Sequence, residues 1–277
     1  MKAVKLAIFL SAMLVTSVGL TATDKSAADK SAADKSKDKE KAGSKVADSG
    51  SFGIFLNGKR VGTETFNITE TVNGERRPDY STATSEIKFD DGRFKATQTA
   101  EMQVSAKGEL RSYIWRSTVP QKEESSVELK DQLLVEHILP ADQKKVDVPH
   151  MLPAATVILD DNFFSQREVL LWWYLATGCR RQDNALLCGT GKFVILVPRQ
   201  HVSGNATMEL LGQEKVTVKG SERELNKISL ETNGPQSLTW LNDQGHEDST
   251  QWVLWVDDQY KIIKMTVAGS NVEVVRD

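Results

Sequence analysis

The sequence predicts an all-β fold: a strongly curved antiparallel meander, closed as a barrel or open as a half-barrel. Short segments rich in Val, Ile, Thr and aromatic residues alternate apolar with polar positions, which is the pattern of half-buried strands. Turn dipeptides such as Asn57-Gly58 and Asp91-Gly92 separate these segments, and tight turns join antiparallel neighbours. One apolar segment breaks the alternation, so a single helix is expected to pack across the sheet.

The alternation is clearest in six segments. Their apolar positions are Phe66 and Ile68, Ile87 and Phe89, Tyr113 and Trp115, Val216 and Val218, Ile228 and Leu230, and Leu238 and Trp240. Near the first of these segments, Gly62 follows the Asn57-Gly58 turn. A glycine inside a strand marks a bulge or a close backbone approach, so Gly62 is expected to bend its strand and to begin the curling of the sheet.

The apolar segment from Leu159 to Gly178 predicts the helix. Asp160 or Asp161 would cap its start, and Gly178 would end it. Its apolar face would consist of Phe164, Leu171, Tyr174 and Leu175. A buried strand over residues 169–176 is the alternative interpretation.

The same segment supplies the candidate ligand-binding residues. Trp172, Trp173 and Tyr174 are consecutive, so their side chains cannot all point the same way on a helix or a strand. At least one of them is therefore expected to line a cavity, a groove or a contact. Phe163 and Phe164, at the start of the segment, complete the predicted site.

The two cysteines of the chain, Cys179 and Cys188, follow this segment directly. An exported chain passes through an oxidising compartment, where such a pair forms a disulfide. Closing a loop of about ten residues stabilises a fold by about 2–3 kcal/mol in the chain-entropy model. A structural disulfide is therefore predicted. A zinc site and a redox-active pair fit the spacing less well, because the first usually needs four ligands and the second usually reads CxxC.

The first 22 residues resemble a secretory signal peptide. Lys2 and Lys5 precede an apolar run at residues 6–20, which is shorter than the roughly 20 residues that span a bilayer. Cleavage after Ala22 is predicted, and an uncleaved N-terminal anchor is the alternative. Because no cysteine follows the run, a lipoprotein anchor is not expected. The predicted location is the periplasm or the extracellular space, with no transmembrane segment after cleavage.

Residues 23–49 are predicted to form a disordered tether, and residues 50–277 a single β-rich domain. The tether repeats the pentapeptide DKSAA and has one large apolar residue, Val46, so it cannot bury a core. Residues 1–49 hold nine of the 35 Lys and Arg residues and six of the 38 Asp and Glu residues, which leaves 26 against 32 in the domain. A mildly acidic domain without a basic cluster argues against nucleic acid as a partner.

The sequence shows little sign of catalytic chemistry. Its four histidines are isolated from one another, and no HExxH, GxSxG or Walker motif is present. Asp160 and Asp161 would suit a glycosidase pair, but their position favours a helix cap. His246, Glu247 and Asp248 read as a polar turn, with a metal or acid–base cluster as the alternative. No catalytic residue, metal site or cofactor is predicted.

Three short motifs resemble a family of exported bacterial proteins with a domain of unknown function. They are the opening "LNGKRVGTETFNI", the middle "ILDDNFF" followed by an apolar stretch and "VILVP", and the ending "LWVDDQYKIIKMTVAGSNVEVVRD". The matching positions are Gly58, Gly62, Trp255, Asp257, Glu273 and Arg276. The resemblance implies a curled antiparallel sheet, distantly similar to LolA/LolB-type half-barrels that enclose hydrophobic molecules. It supplies no catalytic residues.

Three functions follow from these observations. The first is a non-catalytic envelope protein that holds a lipid or another hydrophobic or amphipathic molecule in the curved sheet, beneath residues 160–176. The second is a structural or interaction module whose exposed sheet edge pairs with an envelope protein. The third and least favoured is a glycan or peptide hydrolase that uses Asp160, Asp161, His246 or Glu247.

Overall fold

The computed structural model describes residues 43–277 except 73–77, 93–94, 142–143, 161, 183–184 and 234–248. The described residues form seventeen strands, one α-helix and a short 3₁₀ turn. The strands are β1 (Gly43–Leu56), β2 (Lys59–Val72), β3 (Pro78–Asp90), β4 (Lys95–Ser105), β5 (Leu110–Val119), β6 (Glu123–Lys130), β7 (Leu133–Leu139), β8 (Val146–His150), β9 (Val157–Ile158), β10 (Cys179–Gln182), β11 (Ala185–Cys188), β12 (Gly191–Val197), β13 (Val202–Val218), β14 (Ser221–Asn233), β15 (Ser249–Val256), β16 (Ile262–Val267) and β17 (Val272–Arg276). The helix α1 spans Ser165–Gly178, and the 3₁₀ turn spans Pro198–Gln200.

Fifteen of these strands form one curved sheet, as the sequence predicts. Their order is β8-β7-β6-β5-β4-β3-β2-β1-β17-β16-β15-β14-β13-β12-β9. Neighbours along this order are antiparallel except β9 and β12, which pair in parallel. The remaining two strands, β10 and β11, form a separate hairpin. The all-β class, the antiparallel meander and the single helix are therefore confirmed.

The first hairpin has the turn and the bend that its glycines predict. Asn57 and Gly58 both adopt positive φ angles, 51° and 74°, as a two-residue hairpin turn requires. The β1–β2 ladder places Gly62 opposite Ile54 and then shifts register, which leaves Val61 as the extra residue of a bulge. A Cβ at position 62 would lie 3.1 Å from a carbonyl oxygen of β3. A larger residue there would crowd the neighbouring strand, so the close approach favours glycine.

The inner face of the sheet and the helix enclose one apolar core. Its largest fully buried aromatic side chains are Phe52, Tyr113, Phe163, Phe164, Tyr174 and Trp252. A smaller apolar cluster covers the outer face where β13 to β17 meet, formed by Val218, Leu225, Trp255, Ile263 and Val275. Burial of these side chains is the main source of stability for a sheet with one solvated face.

The helix is shorter than predicted, and its cap is different. Helix α1 begins at Ser165 rather than beside Asp160, and no side chain of the preceding residue caps it. Asp160 instead accepts a hydrogen bond from Tyr113, and Asp161 lies outside the described residues. The predicted cap by an aspartate next to the helix is therefore wrong, because a strand that is distant in sequence supplies the capping carboxylate. The end of the helix at Gly178 is confirmed, and the alternative strand over 169–176 is excluded.

The two ends of the sheet meet through side chains and loops. Strand β9 lies against β5, and the 3₁₀ turn lies against β6. The backbone N–H of Leu110 donates to the carbonyl of Ala154 over 2.9 Å. Among the described strand pairs, no ladder joins β8 to β9. The sheet thus curls onto itself while its hydrogen-bonded order stays open, a point that the sequence left undecided.

The folded part of the chain begins earlier than predicted. Strand β1 starts at Gly43, so residues 43–49 belong to the sheet rather than to the tether. The predicted boundary of the tether was wrong because Asp48 is a charged residue of the kind that fills the tether, yet it is buried. Lys261 and Arg276 bind its carboxylate. The predicted signal peptide and residues 23–42 of the tether lie outside the described residues.

Candidate functional site

A groove of about 470 Å³ lies between the β10–β11 hairpin and the main sheet. Its lining includes two leucines and several polar side chains: Leu186, Leu210, Arg181, Asn226, Asp258 and Tyr260. Small-molecule sites usually occupy about 300–1,000 Å³ and combine apolar walls with a few polar groups. By size and composition, this hairpin groove is a candidate binding site.

The hairpin wall of the groove is held by the predicted disulfide. Cys179 and Cys188 are bonded at the base of the hairpin, where they face each other across the ladder. The N–H of Gly189 also donates to the carbonyl of Gly178 over 3.0 Å. The disulfide closes the hairpin on itself, and because the hairpin belongs to neither edge of the main sheet, side-chain contacts hold it against that sheet. The predicted structural disulfide is confirmed, and it indicates an oxidising environment.

The hairpin presents a different arginine and leucine on each face. Arg181 pairs across the ladder with Leu186, and Arg180 pairs with Leu187. Directly opposite residues of an antiparallel pair project from the same face. Arg181 and Leu186 line the hairpin groove, whereas Arg180 and Leu187 line a separate groove on the opposite face, beside the disulfide. The two faces are thus chemically alike but line different surfaces.

The helix fixes the position of both walls of the groove. The hydroxyl of Tyr174 donates to the carbonyl of Gly189 over 2.9 Å and accepts from the N–H of Leu210 over 3.2 Å. The indole N–H of Trp172 donates to the carbonyl of Tyr260 over 2.9 Å. These contacts connect α1 to the hairpin, to β13 and to the β15–β16 turn.

The five predicted binding residues divide into core and supporting positions. Phe163, Phe164 and Tyr174 are completely buried, and Phe164 packs edge-on against a core tryptophan. Trp172 and Trp173 are partly exposed, and the ring of Trp173 packs against Phe193 at 5.1 Å between centroids. None of the five is among the residues that line the hairpin groove. The direct role of these five residues in binding stays a prediction. Trp172 and Tyr174 position the walls of the hairpin groove.

Glu64 of β2 caps the helix from across the core. Its carboxylate accepts the N–H of Phe164 over 2.7 Å, the N–H of Ser165 over 3.2 Å and the hydroxyl of Ser165 over 2.6 Å. The side chain is fully buried, and burial raises the pKa of Glu64 while these donors oppose the rise. An acceptor at this position satisfies the free N–H groups and suits the positive end of the helix dipole.

Replacing Glu64 with Ala should therefore destabilise the fold. We expect a loss of about 2–4 kcal/mol in the free energy of unfolding, because buried donors are left without an acceptor. Urea unfolding followed by tryptophan fluorescence measures it. Glu64→Gln keeps one acceptor oxygen and should lose less. An alanine variant within about 0.5 kcal/mol of the wild type, the range of ordinary surface changes, would contradict this role.

A second buried cluster joins the start of β1, the helix and the last strand. Arg276 donates to Asp48 over 2.5 Å and to Glu168 over 2.7 Å, and Lys261 donates to Asp48 over 2.7 Å. Burial opposes ionisation of Asp48, but its contacts with Glu168, Arg276 and Lys261 outweigh it and hold its pKa well below the usual range. Burial, together with Asp48, raises the pKa of Glu168 to about 9. At neutral pH Glu168 is therefore protonated while Asp48 is ionised.

The carboxylates of the hydrolase hypothesis do not form an open site where they can be described. Asp160 is completely buried, accepts from Tyr113 over 2.9 Å and forms an ion pair with Arg199 at 2.8 Å. Burial, with Asp160 adjacent, raises the pKa of Tyr113 well above its ordinary value. The other members of that hypothesis, Asp161, His246 and Glu247, lie outside the described residues. Asp160 has the contacts of a structural residue.

Two histidines that are distant in sequence meet on one buried acid. Glu136 of β7 accepts from Ser125 and contacts His150 and His201, each over about 3 Å. His150 ends β8 and His201 follows the 3₁₀ turn, so the cluster joins the two ends of the sheet. The sequence held one indication that Glu136 is buried: it lies two residues from Leu134 in the same strand, so the two side chains share a face. Within the described residues, no group of three His, Cys, Asp or Glu side chains is arranged to hold a metal.

Comparison with known proteins gives a distant structural likeness. No family model matches the chain, and no curated protein matches it. A solved β-barrel-like protein of domain of unknown function DUF1849 from Brucella abortus is similar, with 10% sequence identity and a TM-score of 0.43, over 83% of this chain and 94% of that one. The architecture described above rests on the strand pairing itself. The likeness to LolA/LolB-type half-barrels stays a prediction.

The motif positions that suggested a family have structural roles. Asp257 accepts hydrogen bonds from the N–H groups of Gln259 and Lys261 in the β15–β16 turn, and the indole of Trp255 donates to Glu214.

In the described residues, no helix has the length and apolar character needed to cross a bilayer.

Proposed function

We propose that the protein is an exported, non-catalytic envelope protein that binds an amphipathic molecule in the hairpin groove. The observation that carries the proposal is the groove itself, a space of about 470 Å³ between a disulfide-closed hairpin and a curved sheet. Export is supported by the signal-like N-terminus and by the disulfide, which is typical of oxidising compartments.

The walls of the groove suit a molecule with one apolar and one polar end. Leu186 and Leu210 supply apolar surface from opposite sides, one from the hairpin and one from β13. Asn226 and Tyr260 supply hydrogen-bonding groups. Side chains such as Phe163 and Trp252 fill the space beneath the helix. The proposed site therefore lies beside the C-terminal half of the helix rather than beneath it.

Binding can be measured with N-phenyl-1-naphthylamine, an uncharged apolar dye that fluoresces when it leaves water. The oxidised full chain should bind it saturably at one site. Leu186→Ser should weaken binding about tenfold, because the leucine contributes apolar wall surface. Leu187→Ser is the matched control, since this leucine lies on the opposite face of the same hairpin, and its affinity should equal that of the wild type. Equal losses in both variants, or no saturable binding, would overturn the proposal.

The interaction module is the second candidate function. Strands β8 and β9 end the sheet, and each pairs on one side among the described strands. An unpaired edge accepts a partner strand through main-chain hydrogen bonds. Pro149 in β8 has no N–H to offer, which weakens that edge. A stoichiometric polypeptide recovered from envelope extracts, together with absence of dye binding, would favour this function over the groove.

A further inference from the structure

We propose that the hairpin groove selects an anionic amphiphile, whose carboxylate or phosphate headgroup is bound by Arg181. The inference rests on the proposed function, since it assigns the ligand class of the same groove. It follows from the position of one guanidinium group relative to the apolar walls.

Arg181 has the contacts of an arginine that is oriented but not neutralised. Its Nη2 donates to the hydroxyl of Tyr260 over 3.3 Å, and the side chain is exposed. No carboxylate of the described residues lies within 4.0 Å of it as an ion pair. A planar guanidinium with open donors matches the two oxygens of a carboxylate or phosphate.

The hairpin register places this charge next to apolar surface. Arg181 faces Leu186 across the ladder, so the guanidinium and the leucine side chain leave the hairpin on one side. Leu210 lies on the sheet wall of the same groove. An alkyl chain between the two leucines would bring an attached anionic group to Arg181. This arrangement distinguishes an anionic amphiphile from a neutral one.

One acidic side chain also lines the groove. Asp258 is exposed on the β15–β16 turn, and it would attract a cationic headgroup rather than an anionic one. The choice between the two signs is made by orientation: Arg181 donates to the hydroxyl of Tyr260, whereas Asp258 has no hydrogen bond or ion pair among the described contacts. A cationic amphiphile is therefore the competing ligand, and the test includes it.

The experiment displaces the uncharged dye from the oxidised full chain with three twelve-carbon competitors: dodecanoate, dodecanol and dodecylamine. Dodecanoate should displace the dye about tenfold better than dodecanol. Arg181→Gln should bring displacement by dodecanoate down to the level of displacement by dodecanol. Arg180→Gln should keep the preference, because Arg180 lies on the other face of the hairpin.

Each other outcome has a defined meaning. Equal displacement by dodecanoate and dodecanol overturns the inference that the groove selects an anion, and so does stronger displacement by dodecylamine. Neither result overturns binding in the groove itself. Loss of the preference in Arg180→Gln overturns it too, because general surface charge would then be responsible. Failure of all three competitors and of the dye overturns the proposed function and this inference with it.

A final arm distinguishes the source of the anion. Vesicles of neutral phosphatidylcholine are compared with vesicles that also contain phosphatidylglycerol, and co-sedimentation is measured. Binding to the anionic vesicles that is lost in Arg181→Gln identifies a lipid headgroup. Dodecanoate selectivity without co-sedimentation identifies a free single-chain amphiphile. Both results support selection of an anionic amphiphile by Arg181.

Discussion

Arg276→Ala is expected to lower the free energy of unfolding by about 3–5 kcal/mol, because it removes the partner of two buried acidic side chains, one of which is ionised. Asp48 and Glu168 have side chains that are 1% and 0% exposed, and Arg276 donates to both. The same guanidinium also donates to the carbonyl of Ile262 and lies over the ring of Phe52. Truncation therefore leaves the buried Asp48 carboxylate with Lys261 as its cation and removes the donor to Glu168, where β1, α1 and β17 meet.

Urea unfolding of the full chain measures this loss, with Arg60→Ala as the matched control. Arg60 also forms an ion pair near the chain end, with Asp277 at 2.6 Å, but its side chain is 43% exposed. Exposed pairs contribute about 0–1 kcal/mol, so the control should lose little. Similar losses in the two variants would show that the buried cluster has no special role in stability.

Glu168→Gln is expected to change how stability depends on pH. The pKa of Glu168 rises from an ordinary 4.5 to about 9 in the folded protein. Between these values the folded state keeps a proton that the unfolded state releases, so stability falls as pH rises, by at most about 1.4 kcal/mol per pH unit. This stability is fully present below 4.5 and is lost as pH rises through 9. Glutamine resembles the protonated acid and does not titrate.

The variant should therefore gain about 2–4 kcal/mol on the wild type between pH 5 and pH 8. Oε1 of Glu168 has no hydrogen-bond partner in the described residues, which leaves it open to carry the proton that the amide group replaces. Urea unfolding at pH 5, 6.5 and 8 measures the difference. Glu273→Gln is the control, because Glu273 is exposed and pairs with Lys264 at the surface. A constant difference between variant and wild type across this range would contradict the raised pKa of Glu168.

Much of the fold was predictable because it depends on local patterns. Period-two alternation in residues such as Phe66 and Ile68 identified strands, and Asn57-Gly58 identified a turn with two positive φ angles. Gly62 identified a bend, and Gly178 the end of the helix. Each of these features is decided by a few neighbouring residues, so the sequence expresses them directly.

The boundaries of the fold were not predictable in the same way. Asp48 resembles the charged residues of the tether, yet it is buried because Arg276, 228 residues away, pairs with it. The helix begins at Ser165 because Glu64, 101 residues earlier, caps it. Long-range pairs between charged residues leave no periodic signal, and each partner alone resembles a surface residue.

The candidate site was predicted only in part. None of the predicted aromatic residues lines the groove, and Phe163, Phe164 and Tyr174 are buried because large rings stabilise a core more than they serve an open surface. In the region of the polar hairpin, the sequence predicted the disulfide but not the two strands. The alternation that puts Arg181 and Leu186 on one face becomes visible only once the ladder register is known.

Native mass spectrometry of the oxidised protein, purified without detergent, tests the central claim most directly. The wild type and Leu187→Ser should each carry one amphipathic molecule per chain, and Leu186→Ser should have lost it. An adduct that is equally abundant in both leucine variants would place the ligand elsewhere. A wild-type chain that carries no small molecule but is associated with a stoichiometric polypeptide would contradict the binding function and support the interaction module.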